Sequence, residues 1–228
     1  MAITDYAYLD NDDASLRVFP TATKPSKITV QIEQPTLTST TNALTTQRRT
    51  TGAHRINLEY SYSPMTADEM QPFIAFFNAM QGSTKAFKLN VPKELINDST
   101  HITDTDTHTC TGTFAVGQRE VRVNGFNGTL TTAIKGGNFI QFSDASSAIA
   151  DTHDKIYIVS ADGGSASNEC VIRFEPALLK AVTSSTTLNT FSNDIPLHAI
   201  FAKSEIKFDV NSALLYGFKI TFIEQWTN

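Results

Sequence analysis

The stretch Thr66-Ala67-Asp68-Glu69-Met70-Gln71-Pro72-Phe73-Ile74-Ala75-Phe76-Phe77-Asn78-Ala79-Met80-Gln81-Gly82 decides the fold class. It is the one segment with strong helical spacing: Met70, Phe73, Ile74, Phe77 and Met80 form a wide apolar stripe. Thr66-Ala67-Asp68-Glu69 has the form of a capping box, whose hydroxyl and carboxylate satisfy two otherwise orphaned amides. Met65 stands where a residue before the cap packs on Met70 as a staple. Gly82 closes the segment, because glycine enters the left-handed conformation without strain. Pro72 removes one early hydrogen bond, so a bent first turn or a late start is expected. The pattern predicts one amphipathic helix over 67–80, lying across a sheet.

Outward from this helix the period changes to two. Ile28, Val30 and Ile32 alternate with Thr29 and Gln31 between Lys27 and Glu33. Ile56, Leu58, Tyr60 and Tyr62 share a face between Arg55 and Tyr62. Phe87, Leu89 and Val91 repeat the pattern from Thr84 until Pro92 ends it. Each run reads as a strand with one buried side. Before them, residues 1–25 read as an extended lead-in, with a turn at Asn11-Asp12-Asp13 and with Pro20 and Pro25 barring helix. Between the first two strands lies a polar stretch from Pro35 to Thr51, which holds the only paired arginines, Arg48-Arg49.

Residues 97–111 and 181–190 are rich in Ser and Thr and mark composition boundaries. Between them the signals are all β. Val121 and Val123 precede turns at Asn124-Gly125 and Asn127-Gly128, and Gly136-Gly137 precedes Phe139-Ile140-Gln141-Phe142. Lys155 to Val159 is followed by a turn at Asp162-Gly163-Gly164, and Cys170 to Phe174 is stopped by Pro176. Short strands at this spacing predict a small barrel or sandwich. Further strands are expected at His198 to Lys203, Glu205 to Asp209 and Tyr216 to Trp226.

Composition narrows the functional classes. The 228 residues are 40% hydrophobic and only 18% charged, with Thr and Ser filling the difference. That balance excludes a coiled coil and argues against a mostly helical chain. A net charge of −5 excludes a strongly basic nucleic-acid binder. No apolar run approaches the ~20 residues of a membrane-spanning helix. Met1 to Asp10 lacks the basic and apolar regions of a signal peptide, so a reducing compartment is expected. Cys110 and Cys170 then read as buried thiols rather than a disulfide.

Few residue patterns suggest chemistry. Asp104, Asp106, His108 and Cys110 alternate along one strand face, but the calcium-loop positions for Gly and Glu hold Thr109 and Ala115. Zinc would need a fourth ligand at a recognised spacing. An exposed polar hairpin explains the same residues. The sequence has no HExxH, P-loop, GxGxxG or GxSxG motif and no carboxylates that pair as a glycosidase acid and base. His54, beside Arg55, reads as a surface or packing residue before a catalytic one. Gln47-Arg48-Arg49 suits either phosphate or an inter-subunit bond. The expectation is no catalytic residue, no cofactor and no metal.

Several segments in order carry a resemblance. Gln47-Arg48-Arg49 and Gly52-Ala53-His54-Arg55 lead to Tyr60-Ser61-Tyr62-Ser63-Pro64-Met65-Thr66, the helix ending Met80-Gln81-Gly82, and Phe87. Val121-Arg122-Val123-Asn124-Gly125-Phe126 and Ile134-Lys135-Gly136-Gly137-Asn138-Phe139 follow. Lys155-Ile156-Tyr157-Ile158-Val159, Phe174-Glu175-Pro176-Ala177-Leu178 and Ile223-Glu224-Gln225-Trp226 complete the order. One departure is Ile56, which stands where the pattern has Trp. The order resembles distal tail or minor tail proteins of tailed bacteriophages.

The resemblance implies a mainly β fold: a tail-tube-like β-sandwich with one flanking helix, plus an inserted small β-barrel of OB-like or galectin-like form. Residues 1–96 and 190–228 would build the ring domain, and 98–188 the insert. It implies a structural virion protein, not an enzyme. Its subunits would form a hexameric ring at the tail tip, joining the tail tube protein to hub, fibre or baseplate components. DNA would only pass through the lumen, and no membrane is involved. Candidate inter-subunit contacts are Gln47, Arg48, Arg49, His54 and Arg55. Alternatives are a tube or terminator protein, or a host-glycan module on the barrel. Phe126, Phe139, Phe142 and Tyr157 would then stack on sugar rings.

Overall fold

The structure, a computed structural model, describes residues 18–42, 44–50, 52–91, 107–144, 155–189 and 195–225. The turn at Asn11-Asp12-Asp13, the carboxylates of Asp104 and Asp106, and Trp226 lie outside the described residues. The fold is mainly β, with one helix and a small closed barrel, as the periodicity predicts. Residues 18–88 and 198–225 belong to one compact unit, and described residues between 89 and 197 to a second. The division falls inside two strands, β5 (Phe87–Val91) and β14 (Ile195–Phe201). Of the two Ser/Thr-rich boundaries, residues 97–106 and 190 lie outside the described residues, while 107–111 and 181–189 fall within the second unit.

In the first unit, β1 (Lys27–Glu33), β4 (Arg55–Ser61), β16 (Tyr216–Glu224), β14 and β5 lie side by side in that order. The short β15 (Phe208–Val210) pairs with the start of β16. Helix α1 (Ala67–Ala79) covers one face of this sheet. Its capping box is formed: the Glu69 carboxylate accepts from the Thr66 amide at 2.8 Å and from the Thr66 hydroxyl at 3.0 Å. Those two donors hold the Glu69 carboxyl below its ordinary pKa. The helix starts at Ala67 and runs through Pro72, so the late start suggested by that proline does not occur. Met70, Phe73, Phe76, Phe77 and Met80 are buried, and Phe76 replaces Ile74 in the expected stripe. Gln81 is already left-handed at φ 55°, one residue before Gly82 at φ 63°.

The core of this unit is aromatic. Phe19 sits at its centre, with ring centroids 4.9 Å from Phe222, 5.5 Å from Phe76 and 5.6 Å from Phe73. Phe87 and Phe201 lie 6.1 and 6.5 Å away from it. The Phe19 amide donates to the Lys88 carbonyl at 2.8 Å, which ties this part of the lead-in to the unit. Nothing in the local sequence marks Phe19 as core, because it is flanked by Pro20 and lacks a period of its own.

In the second unit, β10 (Tyr157–Val159), β9 (Phe139–Asp144), β13 (Thr186–Asn189), β6 (Thr109–Cys110), β7 (Glu120–Asn124) and β12 (Glu169–Glu175) pair in that order. β12 also pairs with β10, so the six strands close on themselves. Closure removes the free edges that an open sheet would leave. β11 (Gly163–Ala166) and β8 (Leu130–Ile134) extend the sheet from β12. The expected turn at Gly163-Gly164 is therefore a strand, in which a Cβ on Gly164 would sit 2.9 Å from the Thr131 carbonyl oxygen. Only a glycine lets the two backbones approach this closely.

Candidate functional site

The polar stretch from Pro35 to Thr51 holds a β-ribbon. β2 (Thr36–Thr40) pairs with β3 (Thr46–Thr50) in register Leu37 to Arg49, Thr38 to Arg48 and Ser39 to Gln47. Opposed residues share a face, so the two arginines point to opposite sides. One face carries Thr36, Thr38, Thr40, Thr46 and Thr50 with Arg48; the other carries Leu37, Ser39 and Gln47 with Arg49. The β-branched threonines favour an extended chain even though no apolar alternation announces it. The ribbon continues the β1–β4 pair, whose register ends at Glu33 opposite Arg55. It forms its own two-stranded sheet. Every described residue from Gln31 to Ala53 is exposed.

Gln47, Arg48 and Arg49 thus stand together on this arm, and Arg55 is exposed at its base. His54 differs: it is half-buried, so it belongs to the packed base rather than to the arm. Nearby, the buried Glu224 carboxylate accepts from the Ile56 amide at 2.9 Å and supports the start of β4. The sequence offers no signal for that contact, since 168 residues separate the partners.

A second exposed feature is the hairpin of β15, which runs from Phe208 to Val210 where Glu205 to Asp209 is expected. All three residues of β15 are exposed, and its turn exposes Leu214. Asn211 organises that turn: its side-chain oxygen accepts from the amides of Ala213 at 2.9 Å and Leu215 at 3.0 Å. Among the described residues the exposed large hydrophobics are Ile32, Leu37, Leu44, Val116, Phe208, Val210 and Leu214. All but Val116 lie on the arm, at its base or on the β15 hairpin. A cleft of about 200 Å³ beside Phe77 and Phe201 is rimmed by Lys203, Lys207 and Lys219. Its charge is offset by Glu59 and by Glu205, which pairs with Lys207 at 3.3 Å.

The barrel corrects the sugar-stacking assignment. Phe126 is 2% exposed, and Phe142 and Tyr157 are fully buried. Phe142, Tyr157 and Phe174 pack edge to face at 5.1–5.5 Å. A small barrel must fill its interior with inward side chains, and that demand takes these rings. Phe126 instead stacks on the buried His108 at 4.5 Å, which makes both residues part of the packing. Phe139 alone of the four is half-buried. No group of three or more metal-ligating side chains converges among the described residues.

Cys110 and Cys170 are buried and unbridged. Both face Val123, from β6 on one side of β7 and β12 on the other. Two strand spacings put their Cα atoms roughly 10 Å apart, beyond the ~7 Å limit for a disulfide. Burial pushes the Cys170 thiol up to about 11.

No protein-family model matches the chain, and no curated protein is significantly similar to it.

Proposed function

We propose that the protein is a structural assembly subunit: a distal tail protein of a tailed bacteriophage, building a hexameric ring that joins the tail tube to hub, fibre or baseplate components. Its work is to present surfaces to neighbours rather than to turn over a substrate. The observation that carries this reading is the solvent-exposed β2–β3 arm bearing Gln47, Arg48 and Arg49 on an otherwise well-packed unit. A two-stranded ribbon is marginally stable alone in water, and a subunit that keeps one gains most from it when a neighbour covers it. The tail-tube-like reading of the first unit and the ordered resemblance along the chain agree with that role, as does a closed inserted barrel.

The host-glycan reading is not carried further, because three of its four stacking rings are core residues. The net charge of −5 suits a channel that DNA passes without sticking, since binding to phosphate scales with the cations presented. The test is the mass of the purified protein by light scattering, with the symmetry of its particles by electron microscopy. Closed six-fold rings are expected. A chain that remains a monomer at high concentration and never enters a tail particle refutes the reading.

A further inference from the structure

We infer that the β2–β3 arm of one copy docks on the exposed edge of β15 in the next copy, with β3 adding to β15 as an extra strand. The inference rests on the assembly reading above and names the surfaces that would carry it. Three observations point to it.

The first is where the apolar surface lies. Ile32, Leu37 and Leu44 on or beside the arm, and Phe208, Val210 and Leu214 on the β15 hairpin, make two separate apolar features on one unit. Exposed apolar residues gathered on edge strands mark pairing surfaces. β15 pairs only with β16 among the described residues, so its other backbone edge is open.

The second is charge. The arm holds Arg48 and Arg49 with no acidic residue between Gln34 and His54, in a chain of net charge −5. Asp209 stands at the middle of β15. Among the described residues none of these three belongs to an ion pair. Adding β3 to β15 brings one of the two arginines, which point to opposite sides of the ribbon, onto the face of Asp209, and an extra strand supplies backbone hydrogen bonds along the edge.

The third is reach. The arm leaves the sheet beyond Glu33 and Arg55, at one end of β4. β15 lies past the other end, where the Tyr62 amide donates to the Phe218 carbonyl and the Met65 amide to Tyr216. β4 has seven residues, so the separation is roughly 23 Å at ~3.3 Å per residue. Among the described residues the arm pairs only with itself and makes no pairing with its own β15, so the acceptor is assigned to a second copy. Two different surfaces meeting head to tail form a heterologous contact, which closes as a ring when the rotation permits.

The experiment uses the full chain. Its variants are Arg48→Asp/Arg49→Asp on the arm, Phe208→Ser/Val210→Ser on the acceptor, and Asp209→Arg added to the arm pair. All these positions are exposed, and far-UV circular dichroism verifies that each variant folds. Light scattering across a concentration series reads self-association, and limited trypsin digestion reads access to the Arg48-Arg49 site. Association is expected to weaken at least ~10-fold in the first two variants. The Asp209→Arg combination is expected to regain most of it, and cleavage at the arm is expected to slow as the wild-type chain associates. Wild-type rings that persist in both variants overturn the arm–β15 contact while leaving the ring reading intact. A wild-type chain that stays monomeric overturns both. An arm variant that loses affinity for a DNA duplex, with its association unchanged, assigns the arginines to phosphate and also overturns the proposal.

Discussion

Replacing Phe19 by Ala removes the ring on which the first unit converges. That ring is 2% exposed and meets five other phenylalanine rings within 6.5 Å. A buried phenylalanine withdraws ~150–250 Å² from water, which at ~25 cal/mol per Å² amounts to about 4–6 kcal/mol. Alanine keeps part of that, while the cavity left among rigid rings adds to the loss. The expected destabilisation is about 4 kcal/mol, within the ~3–5 kcal/mol found for core Phe→Ala changes. Urea unfolding followed by far-UV circular dichroism measures it. Phe19→Leu, which refills most of the volume, should cost less than half as much. Phe77→Ala should also cost less, about 3 kcal/mol, because Phe77 lies at 9% exposure beside the cleft. A Phe19→Ala loss below ~1 kcal/mol would mean that the lead-in does not anchor the aromatic core.

Other consequences are open to direct measurement. Among the described residues the Thr36–Thr50 ribbon pairs only with itself, so replacing it by a short turn should leave the unfolding free energy of the unassociated chain within ~0.5 kcal/mol of wild type in urea denaturation. Gly125→Ala places a Cβ against the Thr107 carbonyl oxygen at φ 99°, and a loss of ~2 kcal/mol or more is expected in chemical denaturation. Neither thiol should react with a water-soluble disulfide reagent at pH 8 until the protein unfolds, because both are buried. The Cys170 thiol keeps its proton in the folded state up to about pH 11. The unfolded chain releases that proton nearer pH 9, so this contribution is complete below pH 9 and is lost as pH rises to about 11. Cys170→Ala should flatten that part of the stability profile; an unchanged slope between the two pH values counts against it.

What the sequence determined by itself was local and periodic. The capping box and the spacing from Met70 to Met80 specify the helix, because caps and a 3.6-residue stripe act within a few turns. Alternation from Arg55 onward specifies a strand because one face is withdrawn from water; over Lys27–Glu33 the same alternation gives a strand whose apolar face is only half-buried at Ile28 and Val30 and exposed at Ile32. Alternating Cys170, Ile172 and Phe174 were legible as barrel wall for the same reason. Other features were decided only by tertiary structure. Phe19 has no periodic neighbours, and its burial depends on rings from residue 73 to residue 222. Phe126, Phe142 and Tyr157 are identical in sequence to rings that would face a sugar; barrel closure turned them inward. The arm and the open edge of β15 were hidden for the opposite reason. A strand that buries nothing leaves no hydrophobic period, so its existence follows from backbone pairing across a turn, and its isolation from the absence of a third strand beside it in the described fold.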